Sequence, residues 1–177
     1  MRSVAVQPAA LAQPRTVSIL GSTGSIGRST VDLLLSQKNR FHVRALTACR
    51  NVDLLAEQAR ALNAEVAVIA DASLYENLKM ALSGTDIKAM AGDNAVIEAA
   101  GIPVEWTMAA IVGAAVVRAT LKENKKRKTV ALANKESLVC AGLFMMEAVR
   151  CSGATLLPVD SEHNAIFQVF NPGQKNR

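Results

Sequence analysis

Aromatic side chains are nearly missing: Phe, Tyr and Trp make up 3% of the 177 residues, although half of the chain is hydrophobic. The core must then be built from Ala, Val, Leu and Ile, which suit tightly packed sheet and helix layers. The same scarcity bears on partners. Much of the formal charge of +5 sits in Lys122-Glu-Asn-Lys-Lys-Arg-Lys128, and no aromatic residue is interleaved with it. That run reads as the solvated C-terminal end of a helix, whose dipole it complements, so no nucleic-acid partner is expected. Cysteine is scarce too. Cys49, Cys140 and Cys151 are odd in number and lack C-x-x-C spacing, so neither a disulfide frame nor a zinc site is indicated and reduced thiols are the simplest account. Long apolar runs are absent: nothing approaches a transmembrane helix, and residues 1–15 hold two prolines and no secretory core. The expectation is a soluble cytoplasmic protein, with no membrane partner and a short disordered tail over residues 1–15. Internal repeats and low-complexity segments are also lacking.

What is present is organised around Thr16-Val-Ser-Ile-Leu-Gly-Ser-Thr-Gly-Ser-Ile-Gly27. The β-branched run Thr16–Leu20 predicts a buried strand. Gly21, Gly24 and Gly27 break it, and Ile26, Val31, Leu33, Leu34 and Leu35 then carry a helical pattern. Strand, glycine turn and helix together present backbone N–H groups and a helix N-terminus to a diphosphate. The spacing is G-x-x-G-x-x-G instead of the commoner G-x-G-x-x-G, and an ordinary Gly/Ser loop is the plain alternative.

Downstream, strands and helices alternate. Strands are predicted at His42–Ala48, Glu65–Ala70, Asp86–Met90, Glu105–Val112, Thr129–Ala133 and Ala154–Val159. Between them lie helical patterns over Asn51–Leu62, from Ser73 (as cap) to Gly84, and over Asn94–Ala100, Ala114–Asn124 and Glu136–Cys151. Such alternation predicts right-handed βαβ units and an α/β fold with a doubly wound, mostly parallel sheet, a Rossmann-type NAD(P)-binding domain.

Ligands of such a sheet sit beyond the carboxyl ends of its strands. The residues there are Gly21–Gly27, Cys49-Arg50-Asn51, Gly113, Asn134-Lys135-Glu136 and Asp160-Ser161-Glu162, all gathered on one rim. An acid after the second strand would suit the free ribose hydroxyl of NADH. Here Arg50 stands instead, with no acid until Asp53, which suits the 2′-phosphate of NADPH; a solvated loop arginine is the alternative. Lys135 and the helix N-terminus beside it suit an anionic or hydroxylated substrate; a capping arrangement with Asn134 as N-cap is the plain alternative and is compatible with that role. Asp160 and Glu162, two apart after a strand, point the same way if the chain stays extended and would hold a hard divalent cation. A helix start with Asp160 as N-cap is equally open. His163 reads as a packing or capping group more readily than as a ligand.

Four of these segments carry a resemblance. Gly21-Ser-Thr-Gly-Ser-Ile-Gly27, Met108-Ala-Ala-Ile-Val-Gly-Ala-Ala115, Leu132-Ala-Asn-Lys-Glu-Ser-Leu-Val139 and Leu157-Pro-Val-Asp-Ser-Glu-His-Asn-Ala-Ile-Phe-Gln168 resemble, in order and spacing, the 1-deoxy-D-xylulose 5-phosphate reductoisomerase family. The resemblance implies rearrangement of that phosphorylated sugar and its NADPH-dependent reduction to 2-C-methyl-D-erythritol 4-phosphate, in non-mevalonate isoprenoid synthesis. It implies that Gly21, Thr23, Gly24, Ser25, Ile26 and Gly27 contact the cofactor's diphosphate region. Cys49, Arg50 and Asn51 would lie at its adenosine end, with Asn134 and Glu136 towards the nicotinamide. Lys135, Ser161 and Glu162 would bind substrate, Lys135 and Glu162 acting in catalysis. Asp160 and Glu162 would ligate Mn²⁺, Mg²⁺ or Co²⁺. Cys49 stands where the family usually has glycine.

The family's chains are longer and tend to form homodimers. The resemblance therefore divides this chain into a cofactor domain over 16–153 and, over 154–177, the start of a catalytic domain with its metal loop. Activity of these residues alone is left open. An NADPH-binding module without catalysis and another NADP-dependent dehydrogenase are the alternatives; the latter would need a nucleophile or general acid after a strand, whereas Cys140 and Cys151 fall within or at the end of a predicted helix.

Overall fold

The computed structural model describes residues 13–111, 129–132, 150 and 155–158. Strand β1, Arg15–Leu20, opens one residue earlier than its apolar run suggests, and its last four residues are buried. The remaining strands are β2 (Phe41–Ala48), β3 (Val66–Ile69), β4 (Lys88–Ala91), β5 (Trp106–Ala109), β6 (Thr129–Leu132) and β7 (Thr155–Pro158). They form one sheet in the order β4-β3-β2-β1-β5-β6-β7. Every neighbouring pair is parallel. Among the described residues the α-helices are α1 (Ser25–Ser36), α2 (Val52–Leu62), α3 (Tyr75–Ala81) and α4 (Asp93–Gly101).

Side chains alternate across a strand, so each strand feeds two cores. Val17 and Ile19 of β1, with Ala67 and Ile69 of β3, pack with Val31 and Leu34 of α1, Leu55 and Ala59 of α2 and Leu78 of α3. Leu20 and Val68 point the other way and pack with Ala95, Val96, Ala99 and Ala100 of α4. Both faces are covered, which is why β3, Val-Ala-Val-Ile, is a continuous apolar run and not an alternating one. Burying each of Ile19, Leu20, Leu34, Leu46 and Leu55, all fully enclosed, contributes about 1.5–3 kcal/mol. Leu33, counted in the helical pattern, is the exception and stays exposed.

One residue interrupts the register. Val17 faces Val43 but Ser18 faces Ala45, so Arg44 is an extra residue in β2. After it, Leu46 and Ala48 return to the first core, Ala45 lies in the second, and Thr47 stands opposite Leu20 at the strand ends. At the other end of β1, Thr16 and Glu105 clasp each other. The Thr16 N–H donates to Glu105 Oε2 at 2.8 Å and the Glu105 N–H to Thr16 Oγ1 at 3.0 Å.

One cap differs from its prediction. Asp71, not Ser73, accepts at the helix entry: its carboxylate takes the Ser73 N–H at 3.0 Å and the Ser73 hydroxyl at 2.6 Å. A short 3-10 turn over Ala72–Leu74 follows, and α3 begins only at Tyr75. Both residue types cap, but only the aspartate precedes the turn and can reach forward to its free N–H groups. The predicted helices Ala114–Asn124 and Glu136–Cys151 fall almost wholly outside the described residues, as does Gly113. Among the described residues no helix is long and apolar enough to cross a membrane.

Candidate functional site

The strand order reverses at β1: the chain runs outward through β2, β3 and β4, then returns to the other side of β1 as β5. A crevice opens beyond the carboxyl ends of strands at such a switch point. The glycine turn sits there. Its inner half is anchored to β2, since the Gly21 N–H is shared between Thr47 O at 3.1 Å and Thr47 Oγ1 at 2.9 Å. The Ser22 N–H donates to the same carbonyl at 2.8 Å. From the helix side, Gln58 Nε2 of α2 donates to Ser22 O at 3.1 Å, with only 6% of Gln58 exposed. The outer half is turned outward: Thr23 and Ile26 are half-buried, and Gly24 and Ser25 are exposed.

The three glycines are there for three different reasons. Gly21 has φ +88°, where a side chain is strained, and an added Cβ would meet Ile111 Cγ2 at 2.5 Å and Ala110 O at 3.0 Å. At Gly27 an added Cβ would run into the Gly21 carbonyl oxygen and lie 2.7 Å from Ser22 backbone atoms, so α1 can approach the turn only through a glycine. Neither reason applies at Gly24. Its φ is −74° and ψ 170°, ordinary extended backbone. An added Cβ there would meet only Gly21 O, at 3.5 Å. The fold does not require a glycine at this position, and the space before it is open.

Gly24 also occupies the N-cap position of α1 without a side-chain hydrogen bond, and no acid stands in the first turn. The Gly24 N–H closes back on Gly21 O at 3.2 Å. The first N–H groups of a helix have no partner within it. At α1 they point outward with the positive end of the dipole, an arrangement that can hold a phosphate or diphosphate.

Beyond β2, Cys49 is exposed and its thiol is free. Asn51 is the N-cap of α2, its Oδ1 accepting the Leu54 N–H at 3.1 Å, which leaves both N–H groups of its amide for other work. Arg50 is 75% exposed, and its Nη2 stands 3.3 Å from Asp71 Oδ2. The two hydrogen bonds from Ser73 hold the Asp71 carboxyl below its ordinary value, and the Arg50 charge adds to the effect. Arg50, Asn51 and Asp53 line one side of an open pocket of about 490 Å³, faced by Leu74, Asn77 and Met80.

The other expected site residues, Asn134, Lys135, Glu136, Asp160, Ser161, Glu162 and His163, lie outside the described residues. The strands that precede them are described: Leu20 is in register with Ala109, Ala109 with Leu132, and Leu132 with Pro158. The carboxyl ends of β1, β5, β6 and β7 thus share one rim. Among the described residues no group of three or more His, Cys, Asp or Glu side chains is placed to hold a metal. Thr47, Gln58 and Asp71 are contributions that the sequence did not single out. Gln58 alone left a trace there, as a polar residue beside Leu55, Ala59 and Leu62 on the apolar stripe of α2.

A family model described as 1-deoxy-D-xylulose 5-phosphate reductoisomerase matches residues 17–142. The protein of that name from Zymomonas mobilis is 60% identical over 160 residues, which are 90% of this chain and 41% of the relative. The one from Rhodospirillum centenum is 56% identical over 161 residues, 91% of this chain and 40% of the relative. The chain spans about two fifths of the length of the curated relatives it matches. Among solved structures, the Zymomonas mobilis reductoisomerase in complex with NADPH superposes with a TM-score of 0.85 at 60% identity, covering 91% of this chain and 42% of the other. A reductoisomerase in complex with NADPH, fosmidomycin and magnesium gives 0.81 at 37% identity, covering 90% and 40%. A cyanobacterial biliverdin reductase, 15% identical with a TM-score of 0.54, shares the fold alone. Matched across most of its length by both the family model and these relatives, the chain belongs to the 1-deoxy-D-xylulose 5-phosphate reductoisomerase family.

Proposed function

We propose that this chain is the NADPH-binding part of an enzyme that rearranges and reduces 1-deoxy-D-xylulose 5-phosphate to 2-C-methyl-D-erythritol 4-phosphate. The observation that carries the reading is Gly24, a glycine unexplained by backbone angle or packing, set before an uncapped helix N-terminus. A ligand phosphate drawn against the backbone explains it. Thr23, Gly24, Ser25 and Ile26 then contact the diphosphate, while Gly21 and Gly27 shape the turn that presents them. Cys49, Arg50 and Asn51 lie at the adenosine end, where the guanidinium pairs with the 2′-phosphate.

Asn134 and Glu136 then lie towards the nicotinamide. Lys135 and Ser161 hold the sugar phosphate, with Lys135 and Glu162 acting in catalysis. Asp160 and Glu162 are hard oxygen donors suited to Mg²⁺, Mn²⁺ or Co²⁺. A bound cation there supplies Lewis-acid polarisation of the substrate carbonyl, and bound NADPH supplies the hydride. The cofactor domain covers 16–153, and the segment from 154, which contains strand β7, leads into the catalytic domain. The working enzyme is a cytoplasmic homodimer acting on a small phosphorylated sugar.

Gly24→Val tests the reading. A Cβ there meets only ordinary contact, so the circular dichroism should stay near wild type and the melting temperature should fall only by the modest cost of losing an N-cap glycine. NADPH affinity, followed by nicotinamide fluorescence, should fall by about two orders of magnitude or more as the phosphate loses its approach to the backbone. Unchanged affinity in a folded variant overturns the assignment of the turn. NADPH oxidation with the sugar phosphate and Mn²⁺ separates an enzyme from a module that only binds the nucleotide.

A further inference from the structure

We propose that Asp71 is a positioning residue for cofactor choice: by holding Arg50 at the mouth of the site, it makes the site prefer a 2′-phosphorylated dinucleotide. The inference rests on the cofactor reading above and adds to it a residue from a different strand. The Ala70 N–H donates to Ala48 O at 2.8 Å, and the Asp71 N–H to Cys49 O at 3.1 Å. The β2–β3 pairing therefore continues one step past the strand ends, and it fixes the backbone of Asp71 against the residue preceding Arg50. Ser73 donates twice to Asp71 Oδ1, at 3.0 Å and 2.6 Å. These bonds hold the carboxylate in place, and Oδ2 is left for Arg50 Nη2 at 3.3 Å.

An arginine as exposed as Arg50 is otherwise free to sample many rotamers, and ordering it weakens whatever it binds. A contact with one terminal nitrogen limits that freedom and leaves Nη1 and Nε as donors for a second acceptor. The opposite effect is repulsion between the Asp71 carboxylate and an incoming phosphate. The exposed guanidinium, paired with both, offsets that repulsion with its own charge. Pre-ordering of the arginine therefore decides the sign.

The test compares NADPH and NADH dissociation constants, by nicotinamide fluorescence, in the full-length protein that carries this chain. It uses wild type, Asp71→Asn, Arg50→Met and the double variant. Asp71→Asn keeps an acceptor for Ser73 but removes the charge that faces Arg50. It should weaken NADPH about five-fold, leave NADH within about two-fold, and have no further effect in the Arg50→Met background. An equal loss for both nucleotides would mean that Asp71 only shapes the turn, and would overturn the inference. Unchanged or tighter NADPH binding would overturn it as well. A wild-type protein that binds neither nucleotide would instead sink the cofactor reading, and this inference with it.

Discussion

At the scale of single residues, the glycine turn makes opposite demands at neighbouring positions. Gly27→Ala pushes a methyl group into the backbone of Gly21 and Ser22, and backbone there cannot rotate aside as a side chain would. The expected loss is about 1–3 kcal/mol or more, read as a lower denaturation midpoint. NADPH affinity falls with it, because α1 must back away from the turn. Gly24→Ala, whose methyl group meets only ordinary contact, should cost no more than the loss of an N-cap glycine, about 1 kcal/mol or less. A sequence shows three glycines and cannot say which is there for the turn, which for helix approach and which for a ligand; distances to a built Cβ separate them. Gln58 was harder still to read. Its neighbours on α2 mark a buried stripe, but a polar residue there has a partner that only the folded chain reveals. Gln58→Ala removes the bond to Ser22 O and leaves that carbonyl enclosed, for an expected loss of about 1–3 kcal/mol together with weaker NADPH binding.

At the scale of elements, the turn depends on its neighbours β2, β3 and α2. Arg60 of α2 donates from Nε and Nη2 to Ala81 O, at 3.1 Å and 2.8 Å, and from Nη2 to Ser83 O at 2.8 Å. Through these bonds one guanidinium satisfies carbonyls at the C-terminal end of α3. Arg60→Ala should lower stability by about 1 kcal/mol while leaving nucleotide affinity alone, which distinguishes it from Gln58→Ala on the same helix. The Asp71 turn adds a pH dependence. Its carboxyl is held below its ordinary value of 3.8, so the charged form is favoured by folding. The stabilisation is complete above that value and is lost as pH falls through the depressed one. The stability gap between wild type and Asp71→Asn should therefore be constant at neutral pH and close in acid, as followed by melting temperature against pH. The sequence pointed to Ser73 as the cap and missed Asp71, because both residues have the chemistry and lie two positions apart.

At the scale of the whole molecule, the class of fold was plain from the strand and helix alternation. Thr16–Leu20 and His42–Ala48 read as strands, and Glu65–Ala70 as one whose continuous apolar run suits a sheet covered on both faces. Order within the sheet was not legible, since alternation does not say on which side of β1 the chain returns. Nor was the extra residue Arg44, whose effect is on register alone. The shared rim followed from parallel strands, and the described ends Leu20, Ala109, Leu132 and Pro158 lie in register there.

The central place of β1 has a consequence for synthesis. The clasp between Thr16 and Glu105 joins residues 89 positions apart, and the far wall of the turn is Ala110 and Ile111. On the ribosome, β1, α1 and β2 emerge long before that wall exists. A nascent chain halted ahead of β5 should then retain no nucleotide on an NADPH-analogue resin, whereas one released beyond Ile111 has the wall it needs to close the turn.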